Sequence, residues 1–499
     1  MMKNNIKKLI SVLLASAMIF CLSAVMPFTA NAAETINGQP SYNASDNNYT
    51  VYGRVVNSYL VQNSDGTLSR VEYVGESVIA ETYSLDGKEL LSSKKLDAEL
   101  ELFGGFFSGV DYNFLIFGQM NEAESDSNEV IRVVKYSKDW SRIGSASIKG
   151  ANTYIPFDAG SLRMTETDGK LYIYTCHEMY TTPDGYHHQS NMTFVINESN
   201  LSVSQAFYDI MNLSYGYVSH SFNQFIQTDG NYVYRVDHGD FYPRAISITK
   251  CSVSGRITDV SYTLPISLEN VTGYPNYNAT GASIGGFELS ADACIIAGNC
   301  VDYTKSDALS TNVKNIFVSV TDKGLKSSKI VWLTNYADNS SVAVYTPHLV
   351  KLDDKNFLVL WEEYNKEAGK IVTKMVTVDN SGNKTSDIVS KEMPLSDCKP
   401  ILCGDGYVRW YATNNSSPQF YKVNPDNLNE EQSELKLGDV NGDGNISIDD
   451  VTDIQKYMAE MLDFTYEQIQ LADTDRNGEV TIDDVTLIQK HLAGLAVIE

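Results

Sequence analysis

Two near-copies of one acidic loop close this chain, 34 residues apart: Asp439-Val-Asn441-Gly-Asp443-Gly-Asn445-Ile-Ser447-Ile-Asp449-Asp450, then Asp473-Thr-Asp475-Arg-Asn477-Gly-Glu479-Val-Thr481-Ile-Asp483-Asp484. A calcium ion in a twelve-residue loop takes oxygen ligands from positions 1, 3, 5, 7, 9 and 12, and glycine at position 6 makes the sharp turn. Both copies have that spacing. It designates Asp439, Asn441, Asp443, Asn445, Ser447 and Asp450 for one ion. Asp473, Asp475, Asn477, Glu479, Thr481 and Asp484 serve a second, with Gly444 and Gly478 at the turns. Each loop gathers three carboxylates that repel one another unless a cation lies between them.

Position 12 carries the shorter Asp450 or Asp484 where an EF-hand has a bidentate glutamate, and no amphipathic helix precedes the first loop. The run after each loop is nearly duplicated too: Ile-Asp-Asp-Val-Thr-Asp-Ile-Gln-Lys (448–456) against Ile-Asp-Asp-Val-Thr-Leu-Ile-Gln-Lys (482–490). Val451, Ile454, Met458 and Met461, and in the second copy Val485, Ile488, Leu492 and Leu495, fall at i, i+3, i+7 and i+10. That spacing predicts one apolar stripe per helix, the two stripes packing face to face about a pseudo-twofold.

On these residues the C-terminal segment, 438–499, resembles a type I dockerin. The resemblance implies a calcium-dependent module that binds a cohesin on a scaffold protein, as in extracellular complexes that degrade polysaccharide. It further implies contact residues Val451, Gln455 and Lys456 in one half and Val485, Gln489 and Lys490 in the other, so that either half can face the cohesin. The best-known clostridial members carry Ser-Thr at loop positions 10 and 11. Here those positions hold Ile448-Asp449 and Ile482-Asp483, which leaves the particular cohesin open; the Gln-Lys pairs are more similar to dockerins of gut and rumen anaerobes.

At the other end, Lys3, Lys7 and Lys8 precede an apolar run from Leu9, followed by Ala30-Asn31-Ala32. A basic region, an apolar region and a small-x-small site predict a signal peptide over residues 1–32, with export of a soluble mature chain. The formal charge of −25 leaves −11 on residues 438–499 and −17 on the stretch between the signal and that segment. No basic face is expected to hold nucleic acid or anionic lipid, and nothing after the signal is apolar enough to insert in a membrane. Cys176, Cys251, Cys294, Cys300, Cys398 and Cys403 form no CxxC and are read as small core residues.

Residues 33–423 show no helical periodicity, only short β-rich runs between turns. A turn followed by an apolar strand recurs at Asp65-Gly66, Val110-Asp111, Asp168-Gly169, Asp229-Gly230, Ala291-Asp292, Asp354-Lys355 and Asp405-Gly406. Second turns come at Asp86-Gly87, Ser199-Asn200, Ser254-Gly255, Asp322-Gly324 and Asp379-Gly382. Two hairpins per unit make a four-stranded blade, and such a period predicts a β-propeller of seven blades, with six or eight open and tandem sandwiches the alternative. The last unit stops after three strands at Phe420–Val423, so the run Tyr49–Val56 is expected to complete it. The fold class is therefore mainly β, a seven-bladed propeller (33–423) followed by a polar linker (424–437) and a small α-helical EF-hand-like unit (438–499).

If loops into strand one and loops joining strands two and three share a face, that face collects His220 and His348 from strand-one starts. Strand-two ends add His177, Glu178, Asp237, His238, Asp240, Trp361, Glu362 and Glu363, and one hairpin loop adds Tyr180, Asp184, Tyr186, His187 and His188. Catalytic candidates are His177, Glu178, His220, Asp237, His238, His348 and Glu362. Acids, histidines and aromatic planes suit glycan binding, and equally a glycoside hydrolase or polysaccharide lyase; no catalytic motif selects between them, and a structural role is a third class.

Overall fold

The structure, a computed structural model, describes residues 38–43, 54–158, 160–213, 221–239, 245–267, 281–304, 313–337, 341–430, 436–442, 444–464 and 466–498. The expected signal segment lies outside them. So do His220, Asp240 and Asp443.

Seven antiparallel sheets succeed one another along the chain, over 58–97, 102–149, 153–207, 221–267, 283–332, 342–391 and 401–423. Each is a blade. Every expected first turn joins the first two strands of a blade, as Asp65-Gly66 joins Ser58–Gln62 to Leu68–Val74. The predicted second turns join strands three and four. Strands two and three are covered on both faces by neighbouring blades. Asn113–Gly118 and Ala293–Val301 are therefore buried at every residue, which explains why they read as continuous apolar runs without alternation. Outermost strands such as Leu90–Asp97 are largely exposed.

Blades 3 and 6 depart from four strands. Their long second strands, Lys170–Thr181 and Asn356–Asn365, each pair with two separate inner segments, Thr153–Pro156 with Arg163–Thr167 and Val342–Val344 with His348–Lys351. The innermost strands of all seven blades surround one central cavity of about 270 Å³. Its wall is mostly apolar, with Tyr59, Phe106, Phe225 and Phe287 among the lining residues and Arg163, His348 and Lys399 as polar points.

The seam differs from the expectation for Tyr49–Val56. Residues 49–53 lie outside the described residues and 54–57 form no strand. Instead Ser41–Tyr42 pairs antiparallel with Asn414–Ser416, and blade 7 keeps three strands of its own. Side chains complete the join: Thr413 N donates to Asn43 Oδ1 at 2.7 Å, and Asn43 Nδ2 donates to Ser58 Oγ at 3.0 Å. Beneath it lies a buried ionic cluster in which Arg70 reaches Glu72 and Glu81, each at 2.7 Å, and donates to Ser41 Oγ at 3.0 Å. A buried arginine costs several kcal/mol in lost hydration unless carboxylates surround it. Here two do.

The expected linker is shorter than the composition implied. Leu428 is 5% exposed and packs into the core of blade 7, while Glu430 accepts from Tyr407 Oη at 2.8 Å and from Asn424 Nδ2 at 2.5 Å. Residues 424–430 therefore belong to the propeller.

Among its described residues the C-terminal segment has three helices, α1 (Ile448–Met458), α2 (Tyr466–Ala472) and α3 (Ile482–Leu492). Its core joins Val440, Val451, Ile454, Leu471, Ala472, Val485 and Ile488. Only the first halves of the predicted stripes are buried. Met461 and Leu495 are 77% and 78% exposed because α1 and α3 end at Met458 and Leu492, so the i+10 positions fall beyond the helices.

All six described cysteines are buried thiols, as expected of small core residues.

Candidate functional site

Each acidic loop is wound around its first and last aspartates. The position-6 amide donates to the position-1 carboxylate, Gly444 N to Asp439 Oδ2 at 2.8 Å and Gly478 N to Asp473 Oδ2 at 2.9 Å. Both glycines sit at positive φ, +88° and +90°, which a side chain at that turn resists. The position-12 aspartates are fully buried. Asp450 accepts from the amides of Val440 at 2.9 Å, Asn441 at 3.1 Å and Ser447 at 2.8 Å; Asp484 accepts from Asp475 at 3.1 Å and Thr481 at 2.8 Å. Ser447 and Thr481 also cap α1 and α3, each within a capping box closed by the same aspartate. A short aspartate thus both ties the loop and starts the helix.

In the second loop, carboxylate oxygens of Asp473, Asp475 and Asp484 lie within 4.8 Å of one another. Hard oxygen donors at that spacing fit a calcium ion, which takes oxygen ligands at about 2.3–2.6 Å. Asp473, Asp475, Asn477, Glu479, Thr481 and Asp484 would hold the second ion. Asp439, Asn441, Asp443, Asn445, Ser447 and Asp450 would hold the first, described here without Asp443. A bound ion would neutralise the clustered carboxylates and fix the start of the following helix.

The two halves present matching surfaces. Ile448 and Ile482 are 59% and 55% exposed, and Met458 and Leu492 are 40% and 43% exposed. Gln455, Lys456, Gln489 and Lys490 are exposed as well. Val451 and Val485 are not at this surface: at 2% and 1% exposure they form the core beneath it, which removes them from the expected contact set. One asymmetry stands out. Lys456 Nζ pairs with Asp453 Oδ1 at 2.8 Å, and Leu487 replaces that acid in the second half.

In the propeller, pairing of Pro156 with His177, Phe222 with His238 and Leu360 with His348 places the three histidines where strand one meets the end of strand two, in blades 3, 4 and 6. All three are buried. His177 lies between Thr153 Oγ1 and Ser190 Oγ, 2.8 Å from each, and burial pushes its pKa down to about 3. His348 donates from Nε2 to the Ser396 carbonyl at 2.8 Å, and burial lowers its pKa to about 4. Both rings are neutral and held by hydrogen bonds. Asp237 is buried and accepts from Tyr174 Oη at 2.6 Å, Ser247 Oγ at 2.6 Å and Asn191 Nδ2 at 2.5 Å. Glu362 accepts from the Leu395 amide at 2.9 Å, with burial raising its pKa, and Glu363 accepts from Tyr336 Oη. Trp361 is core.

The part that reaches solvent is the hairpin between the long strands of blade 3. Tyr186 at its tip is 69% exposed, His188 Nε2 lies 2.7 Å from Asp184 Oδ2, and the His187 ring stacks on Tyr154 at 3.9 Å. Tyr180 Oη accepts from Asn121 Nδ2 of blade 2 at 3.0 Å. Half-buried Glu178 stands beside Asp158, and burial, followed by the repulsion of that neighbour, raises its pKa. Neither Asp158 nor Tyr154 was legible as a site residue, since only the pairing of Thr153–Pro156 with the end of strand two brings them there.

The family model for the dockerin type I domain matches residues 437–493. Such domains bind calcium in general and imply a cohesin partner in a cellulosome-type assembly. No curated protein matches the chain. The chain is similar to an uncharacterized protein from Listeria monocytogenes at 10% identity, with 78% of this chain and 95% of that one covered and a TM-score of 0.38. An endo-arabinase from Bacteroides thetaiotaomicron is 13% identical, with 77% and 96% covered and a TM-score of 0.29. The β-propeller domain of the Trilobed protease from Pyrococcus furiosus is 9% identical, with 75% and 100% covered and a TM-score of 0.37. At such scores these likenesses say nothing of activity. Among the described residues no helix is long and apolar enough to cross a membrane.

Proposed function

We propose that this protein is a secreted component of a cohesin–dockerin assembly engaged in polysaccharide degradation. Its dockerin binds two calcium ions and docks on a scaffold cohesin, and its propeller binds glycan or protein at the face carrying the blade 3 hairpin. The matched exposure of the two dockerin halves supports attachment in either orientation. For the propeller, the observation that carries the reading is the exposed Tyr186 at the hairpin tip beside the half-buried Tyr154–His187 stack, because an exposed aromatic plane stacks on a sugar ring while the polar groups beside it take hydroxyls.

A second reading, a glycoside hydrolase or polysaccharide lyase, rests on Glu178, the one described candidate acid that is both raised in pKa and partly open. Glycoside hydrolysis uses carboxyls roughly 5–9.5 Å apart. Glu178 and Asp158 stand within a single hydrogen bond of each other, so binding is the better supported.

The test is a polysaccharide array probed with the whole protein, scoring both retention and released sugar. Retention without release is expected, lost in Tyr186→Ala and kept in controls at Asp86 and Ser254 on the opposite turns. Sugar release abolished by Glu178→Gln would select the enzymatic reading, and retention unaffected by Tyr186→Ala would remove the hairpin from the site.

A further inference from the structure

On the face made by the turns joining strands one to two and three to four, blade 3 carries two adjoining carboxyl groups at its junction with blade 2. Glu166 belongs to strand Arg163–Thr167, and Glu198 comes directly after strand His187–Asn197. Glu166 Oε1 accepts from the Val110 amide in the first turn of blade 2 at 2.5 Å. The approach is close: a Cβ on Gly109 would lie 2.1 Å from Glu166 Oε2. Glu198 is 8% exposed, and its carboxyl is within hydrogen-bonding reach of Glu166.

Glu166 Oε2 and Glu198 Oε1 are both buried and receive no hydrogen bond from the protein. The charged groups around them are committed elsewhere. Lys135 Nζ donates to the Glu198 main-chain oxygen at 2.6 Å and lies 3.4 Å from the centre of the Tyr112 ring. Lys138 Nζ donates to the Gly109 carbonyl and to Ser108 Oγ. Asp111 adds a further negative charge near Glu198, and Asp168 is paired with Lys170 at 3.1 Å. Buried acceptor oxygens on two adjoining carboxyls need a proton or a cation between them. Among the described residues no third acid joins these two in a cation-holding cluster, and a single proton satisfies both oxygens.

We infer that Glu166 and Glu198 of blade 3 share one proton and thereby hold Glu166 against the Val110 amide of blade 2, a pH-dependent latch closed when the pair is singly protonated and open when both carboxyls are ionised. Burial first and Glu166 second raise the Glu198 pKa to about 7, so the latch opens near neutral pH. In the unfolded chain a glutamate titrates near 4.3. The folded state therefore holds a proton that the unfolded state has lost between those values. The pair's contribution to stability declines as pH rises from about 4.3 to about 7 and is level above.

The four tryptophans, Trp140, Trp332, Trp361 and Trp410, all lie in the propeller, so their fluorescence reports its unfolding within the whole protein. Glu198→Gln supplies a permanent amide donor to Glu166. Measured with chelator, the variant's melting temperature minus that of the wild type is expected to grow by several degrees from pH 5 to pH 7 and then hold constant. A difference independent of pH overturns the latch. A wild-type melting temperature that rises with calcium at pH 8, with no such rise in Glu198→Gln, makes the pair a cation site and also overturns it. Should the variant not fold, amide exchange at Val110 in the wild type decides: protection, corrected for the intrinsic rate, is expected to fall more than tenfold from pH 6 to pH 8, and unchanged protection refutes the proposal.

Discussion

The hydroxyl of Tyr411 in blade 7 donates to Glu72 in blade 1 over 2.9 Å, across 339 residues of sequence. The same carboxylate takes Arg70, whose other branch takes Glu81, so one buried cluster grips both ends of the ring.

Removing the cation from that cluster is predicted to be costly. Arg70→Met leaves Glu72 and Glu81 buried without a counter-charge, a loss of about 3–5 kcal/mol. Tyr411→Phe removes one hydrogen bond to a charged acceptor, about 1.5–3 kcal/mol. Urea denaturation followed by tryptophan fluorescence measures both. Equal, sub-kcal losses would show the cluster to be incidental.

Calcium is predicted to fold the dockerin. With Asp450 and Asp484 fully buried among clustered acids, residues 436–499 are expected to lose helical circular dichroism in chelator and regain it with calcium. Asp473→Ala should raise the calcium concentration required. A helical signal indifferent to chelator would refute the coupling.

Dual cohesin binding predicts a characteristic pattern of substitutions. Changing Gln455 and Lys456 to alanine, or Gln489 and Lys490, is expected to cost little affinity singly, since the module turns half a revolution; both changes together should abolish binding. Calorimetry that finds one pair indispensable excludes the second mode. The Lys456–Asp453 pair, absent from the other half, predicts that the modes differ slightly in salt dependence.

The buried histidines predict acid lability. The folded pKa of His177 lies below the unfolded value of about 6.5, so the unfolded state takes up a proton that the folded state refuses, and stability is lost as pH falls. At pH 5 this amounts to about 2 kcal/mol for such a group. His177→Gln is expected to gain on the wild type progressively from pH 7 to pH 5. The Glu198 contribution has the opposite sign, so each is read as a difference between variant and wild type. A flat His177 difference would mean that its ring is solvated.

The blades were legible because their turns rely on local chemistry: Asp-Gly at Asp65-Gly66, Asp168-Gly169 and Asp405-Gly406 needs no distant partner. The closing segment was not. Ser41–Tyr42 is two residues long and is held by the Thr413 side chain, with Asn43 after it held by Ser58, whereas the β-rich run at Tyr49–Val56 looked the better strand. Helix ends misled in the same way. Gly494 at φ +70° marks the end of α3, but the first copy puts Glu460 in that conformation at φ +57°, where nothing in the residue type announces it. The carboxyl neighbours Asp158 and Glu178 come together through the pairing of Thr153–Pro156 with the end of strand two, and spacing alone carries no trace of it.

Pairing of residues 41–42 with 414–416 also sets a timetable. A chain emerges from the ribosome N-terminal end first. Six blades are therefore made before the partner of the closing strand exists, and Arg70 waits for Tyr411 through nearly the whole of synthesis. Until then the nascent ring is a C-shaped stack with two raw edges, and any chain ending short of blade 7 keeps them. Sealing is the last act of making the propeller, and it comes just before the dockerin is completed.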